Sequence, residues 1–175
     1  MIHRRLIVGL VTGLILTGCT HGRMVGNTFV SDDYRFSVAL PGPPFTEIPP
    51  KGTLVAVSDP ATGASIAVSA SPDVRVRGDE REVPLLFVAR ELFISIDKKE
   101  YVVSEQATID GVAAWHLEAT GESEGVPLVF SAYVTRFSGT IYDLVFWSRP
   151  AEFTRASGAF LEMVKSFRFR RGEAE

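Results

Sequence analysis

The sequence predicts an α+β domain, an antiparallel β-sheet packed with two main α-helices. Three observations predict it. Long strand-like segments after residue 101 are joined by Asp-Gly and Ser-Gly turns. One mid-chain segment and one near the end repeat apolar residues at helical spacing. The first third holds short alternating runs cut by proline and glycine. Period-two alternation marks half-buried strands and a 3.6-residue period marks amphipathic helices. Long antiparallel hairpins need one face covered, and two amphipathic helices can cover it.

Thr28–Ser31 and residues 35–40 read as two short strands around the Asp32-Asp33-Tyr34 turn. Phe36, Val38 and Leu40 alternate with Arg35, Ser37 and Ala39 in the second. Five prolines between 41 and 50 predict a stiff loop over 41–51, because proline cannot donate to a sheet ladder. Residues 53–58 and 64–70 form a hairpin through residues 59–63, and 71–82 is polar loop. Leu85, Val88, Leu92 and Ile96, widened by Ala89 and Phe93, place a helix over 84–99. Pro84 suits its first turn and Lys98 and Lys99 suit its negative end. Residues 102–109 meet 112–120 through Asp110-Gly111, and Val126–Phe137 meets Thr140–Ser148 through Ser138-Gly139. Phe153, Phe160, Leu161 and Val164 mark a second helix after Pro150, and Phe167 and Phe169 extend the core or form a last short strand.

Ahead of this domain stands a segment of a different kind. His3, Arg4 and Arg5 make a basic head, and residues 6–16 are apolar except for Gly9, Thr12 and Gly13. A basic head, a short apolar run and a small-residue exit form the layout of a secretory signal. The run is too short for a permanent span, which needs roughly 20 residues. Leu16-Thr17-Gly18-Cys19 resembles the bacterial lipobox. The resemblance implies cleavage before Cys19, a diacylglyceryl group on its sulfur, and in diderm bacteria a further acyl chain such as palmitate on its amine. Several chains are needed because one acyl chain binds a membrane only marginally. Cys19 is the sole cysteine, so no intramolecular disulfide is possible. Thr20 in place of Asp favours the periplasmic side of the outer membrane over the inner membrane.

The organisation expected is therefore a signal peptide over 1–18, the lipidated cysteine with a flexible tether over 19–27, one domain over 28–170, and a polar tail over 171–175. Removing residues 1–18, which carry Arg4 and Arg5 and no acid, takes the formal charge from −3 to −5. An acidic domain offers no basic stripe for nucleic acid and no patch of its own for anionic lipid.

Tyr34 to Pro41, Ile109 to Trp115, Tyr142 to Phe146 and Phe160 to Phe167, in this order of elements, resemble PsbP-like domains. That group is named for an extrinsic protein of the photosynthetic oxygen-evolving complex, and a eukaryotic Ran-binding import factor shares its fold. The resemblance implies a PsbP-like α/β sandwich that binds proteins or assists assembly, with no shared catalytic motif to carry over.

The residues themselves leave little chemistry to assign. His116 lies two residues from Glu118 on the more polar face of its strand, a pair that could perform acid–base work. A solvated strand face is the plainer reading. His21 falls in the tether. The acidic groups Asp32-Asp33, Asp79-Glu80 with Glu82, and Glu122 with Glu124 sit in turns without calcium-loop spacing. No nucleophile elbow, phosphate loop or dinucleotide glycine pattern occurs. Tyr133, Tyr142 and Trp147 are candidates for an exposed aromatic surface, which would mark a partner.

Three functions are compatible with these residues. The first is a lipid-anchored, non-catalytic binding or assembly module for an envelope protein, with no cofactor or metal. The second is a carrier of a small ligand or lipid in a pocket between sheet and helices. The third is a hydrolase using His116 and Glu118.

Overall fold

The computed structural model describes residues 22–73 and 83–171. Cys19, His21, residues 1–18, Asp79, Glu80 and Glu82 lie outside the described residues. The fold is α+β with antiparallel sheets. Two sheets and two helices follow in the order β1 (Arg23–Val25), β2 (Thr28–Ser31), β3 (Phe36–Ala39), β4 (Thr46–Glu47), β5 (Val55–Ser58), β6 (Ser65–Pro72), α1 (Leu85–Glu91), β7 (Asp97–Ile109), β8 (Val112–Ser123), β9 (Val126–Phe137), β10 (Thr140–Ser148), α2 (Pro150–Ser166) and β11 (Arg168–Phe169).

The large sheet runs β4-β5-β6-β10-β9-β8-β7, and the small one runs β1-β2-β3-β11. β7 to β10 form a meander whose turns need left-handed backbone. Asp110-Gly111, Glu124-Gly125 and Ser138-Gly139 each have positive φ at both residues. That geometry matches the twist of the flanking strands. β6 then pairs with β10, Ile66 opposite Phe146, and so extends the sheet from the last strand of the meander toward β5 and β4.

The two helices cover opposite faces of the large sheet, where the sequence suggested one covered face. Tyr142, Leu144 and Phe146 of β10 point toward α2, packing with Phe160, Met163 and Val164 and with Phe36 and Val38 of the small sheet. Ile141, Val145 and Trp147 point the other way, into a second cluster with Ala89 and Phe93 near α1. Both rows of β10 are mainly apolar for this reason, with Asp143 the buried exception.

α1 is shorter than its apolar period suggests. Regular helix stops at Glu91, and three-residue turns continue to Ile96 through Phe93 N–H to Arg90, Ile94 N–H to Glu91 and Ile96 N–H to Phe93. Lys99 sits in β7 rather than at a helix end. Its Nζ still donates to the carbonyls of Phe93 and Ile94, at 3.1 and 3.4 Å. α2 begins with Pro150, carries Glu152 in its first turn and Lys165 in its last, and so complements its own dipole. Leu161, expected on its buried stripe, is exposed.

Two further differences concern short strands. Arg23–Val25, assigned to the tether, pairs with β2, Met24 opposite Phe29. Thr46–Glu47, assigned to the proline loop, pairs with Ser58 and Val57 of β5. Prolines flank this pair of residues and spare it, so two ladder positions survive.

Candidate functional site

His116 is not on a solvated face. It is 7% exposed, and β8 holds it between β7 and β9 on the sheet face that α2 partly covers. Register decides its neighbours. Glu105 of β7 and Tyr133 of β9 stand directly opposite it, and Ser131 stands opposite Glu118. His116 Nδ1 lies 3.1 Å from Glu105 Oε1. Nε2 lies 3.1 Å from Ser131 Oγ and 3.4 Å from Glu118 Oε1. The imidazole stacks on the Tyr133 ring at 4.3 Å and 13°, and Tyr133 in turn meets Phe160 of α2. Burial pushes the Tyr133 hydroxyl above its ordinary range, and the charges of Glu105 and Glu118 push it the same way.

Serine, histidine and carboxylate in this connectivity match the order of a hydrolytic triad. The surroundings do not support the chemistry. Ser131 is 2% exposed. It sits mid-sheet between Glu118 of β8 and Phe146 of β10, so its backbone N–H belongs to a ladder rather than to an oxyanion hole. Glu105 and Glu118 approach different ring nitrogens and do not converge on one point. Among the described residues no group of three histidine, cysteine or acidic side chains could hold a metal ion. The arrangement satisfies a buried polar cluster. His116→Ala should therefore lower stability by about 1–3 kcal/mol, the cost of leaving the buried Ser131 hydroxyl unpaired. Chemical denaturation checks this, and a variant as stable as the parent would contradict it.

Asp143 is a second buried polar group, on the opposite face. Its neighbours across the strands are Ser69 and Val134. Its Oδ1 has no hydrogen-bond partner among the described residues. Burial raises its pKa to about 6. The folded chain thus holds this proton more tightly than the unfolded chain, whose carboxyl titrates near 3.8. Asp143 destabilises progressively as pH rises from about 4 through 6, by about 3 kcal/mol in total. Asp143→Asn should remove that slope and be the more stable protein at pH 7. Urea midpoints at pH 4 and pH 7 test the sign.

The aromatic candidates do not share a surface. Tyr142 is buried, and its hydroxyl donates to the Tyr34 carbonyl at 2.8 Å. Tyr133 is half-buried under His116, and Trp147 packs in the cluster on the other face. The acidic candidates are surface ion pairs: Asp32 meets Arg23 and Arg170, and Glu122 meets Lys98 at 2.9 Å. Glu124 lies in the Glu124-Gly125 turn.

The cavities open elsewhere. A groove of about 620 Å³ lies between the loop Pro41 to Phe45 and α2, walled by Ala156, Ala159 and Met163. Asp59 borders it, its carboxylate held below the usual range chiefly by the Thr62 hydroxyl. The interfaces between the large sheet and the two helices are occupied by core side chains, Leu144, Phe146 and Phe160 on one side and Phe93, Phe130 and Leu117 on the other. Beside these packed interfaces a space of about 740 Å³ opens between Leu85 of α1 and Gln106, Thr108, Ala113 and Trp115 of β7 and β8.

No family model matches the chain, and no curated protein is significantly similar to it in sequence. Solved structures are similar in fold. Cyanobacterial PsbP, CyanoP, from Synechocystis sp. PCC 6803 superposes with a TM-score of 0.61 at 13% identity, covering 92% of this chain and 99% of that one. The fold is PsbP-like. LpqN of Mycobacterium tuberculosis, described as involved in cell envelope biogenesis, gives 0.60 at 14% identity over 80% and 87% of the two chains. The Saccharomyces cerevisiae Ran-binding protein Mog1p gives 0.55 at 16% identity over 81% and 94%. At these identities the likeness establishes the PsbP-like and Mog1p-like fold.

Proposed function

We propose that this chain is a lipid-anchored envelope protein whose PsbP-like domain docks a protein partner without catalysis. One observation carries the docking. Phe87 and Ile94, 56% and 72% exposed, lie seven residues apart along α1 and the turns that continue it. Seven residues bring a helical stretch back to nearly the same side. Glu91, also exposed, lies between them. Phe87 and Ile94 thus flank Glu91 on the outward side, opposite the Ala89 and Phe93 row that faces the sheet. Large exposed apolar groups on a small domain mark contact surfaces.

Other observations agree. Ser131 and His116 of the triad-like cluster are buried, and Ser131 sits mid-ladder without an oxyanion hole. LpqN is described by its place in envelope biogenesis and Mog1p by its binding of Ran. Placement in the envelope rests on the segment ending in Leu16-Thr17-Gly18-Cys19. Thr20 favours the outer membrane within that reading.

Photo-crosslinking side chains placed at Phe87 and Ile94 in intact membranes test the proposal. A discrete adduct with one envelope protein is expected, lost when the other of the two residues becomes Asp. No adduct above background from either position would refute it.

A further inference from the structure

We propose that the end of the domain formed by the β1–β2 hairpin and residues 48–51 rests on the lipid bilayer that anchors the chain. This rests on acylation of Cys19. Covalent geometry makes the first argument. Three residue steps separate Cys19 from Gly22. An extended chain gains at most about 3.3–3.6 Å per residue, so Gly22 lies within about 11 Å of the anchored cysteine. Gly22 is itself pressed onto the domain. A Cβ there would stand 2.5 Å from the Phe29 ring and 2.6 Å from the Val30 carbonyl oxygen. β1 follows at the next residue. The tether is therefore far shorter than the 19–27 segment suggested, and its exit point is held against β2.

The surface at that exit carries apolar side chains beside the charged Arg23 and Glu47. Met24, Val25 and Ile48 are exposed. Met24 and Ile48 line one shallow cleft of about 320 Å³ together with Gly22, Pro50 and Leu54. Val25 stands at the hairpin tip beside Gly26. Val102, also exposed, lacks this placement. Ile48 follows β4 at one edge of the large sheet, whereas Val102 lies in β7 at the other. Six strand spacings of about 4.8 Å separate these edges by roughly 29 Å. The occupant follows from the anchor. A lipid surface is held against this end at high effective concentration, and apolar side chains there add to the acyl anchor.

The test uses the full-length acylated protein in vesicles of phosphatidylethanolamine and phosphatidylglycerol. Cys19 is the only cysteine, and acylation blocks its sulfur, so an introduced cysteine is the only free thiol. An environment-sensitive dye is attached at Val25→Cys, Ile48→Cys, Val102→Cys or Ile94→Cys. A spin-labelled phospholipid serves as quencher, and the mass of the N-terminal peptide verifies acylation in each variant. Dyes at positions 25 and 48 should shift to the blue and lose at least half their emission, while those at 94 and 102 keep theirs. Acylated, vesicle-bound protein with positions 25 and 48 unquenched overturns the proposal and leaves the anchor standing. A blue shift without lipid quenching places another protein or a second copy on this surface and also overturns it. A chain that is never acylated overturns both readings.

Discussion

Cys19→Ser is expected to abolish acylation and leave a precursor that retains residues 1–18. The lipobox reading gives Cys19 two roles, acceptor of the diacylglyceryl group and first residue after cleavage, so one substitution removes both. A serine hydroxyl is far less nucleophilic than a cysteine thiolate at neutral pH. The chain has no second cysteine to take over. Each acyl CH₂ buried in the bilayer contributes about 0.8 kcal/mol, so an anchor of several chains dominates membrane affinity and its loss is all-or-none. Metabolic labelling with palmitate should give no signal, and the protein should migrate above the processed form. The folded domain should be unchanged, since Cys19 precedes its first strand. Normal processing and labelling of the serine variant would refute the anchor and, with it, the envelope placement.

Much of the fold was legible because short-range chemistry dictated it. Asp110-Gly111 and Ser138-Gly139 tolerate positive φ, so the hairpins of β7–β8 and β9–β10 follow from them. The bounds of β2, β9 and β10 match the alternating runs. What failed among the strands was decided by long-range pairing. Arg23-Met24-Val25 has no buried face, and only its ladder with β2 makes it a strand. The extra length assigned to α1 came from turns that keep an apolar period without helical hydrogen bonds.

The polar cluster was half legible. Alternation placed His116 and Glu118 on one face, but solvation was inferred from their polarity alone. Counting back from the Asp110-Gly111 turn puts Glu105 opposite His116. Counting from Glu124-Gly125 puts Tyr133 opposite His116 and Ser131 opposite Glu118. Those two turns were the signal that could have found the cluster. Similarly, Tyr142, Leu144 and Phe146 alternate with Ile141, Val145 and Trp147, so β10 is mainly apolar on both faces, Asp143 apart. A strand of that kind is covered on both sides. The opposite placement of the helices was therefore readable, whereas the crossing that brings β6 beside β10 was not.

Phe36→Ala should cost about 3–5 kcal/mol, a large share of the 5–15 kcal/mol typical of a domain. Phe36 is fully buried where the small sheet meets the large one. Its ring stacks on Phe167 at 4.9 Å and 10°, meets Phe29 at 5.8 Å, and meets Tyr142 edge-on at 5.9 Å. Its backbone pairs with Ser31 on one side and Phe169 on the other. Truncation thus leaves a cavity bounded by four elements, β2, β10, β11 and the end of α2. The surrounding rings cannot collapse into it together, because Tyr142 is held by its hydrogen bond to Tyr34 and Phe169 by the bond from its N–H to Asp110 Oδ2 at 3.1 Å. Poor relaxation puts the cost at the upper end of the range for such truncations. Phe87→Ala supplies the contrast, since an exposed phenylalanine on α1 should change stability by no more than about 0.5 kcal/mol. Urea denaturation of both variants decides the matter. A loss below about 1 kcal/mol for Phe36→Ala would mean that the small sheet is not coupled to the core through this ring. An intermediate plateau would instead show the small sheet melting before the large one.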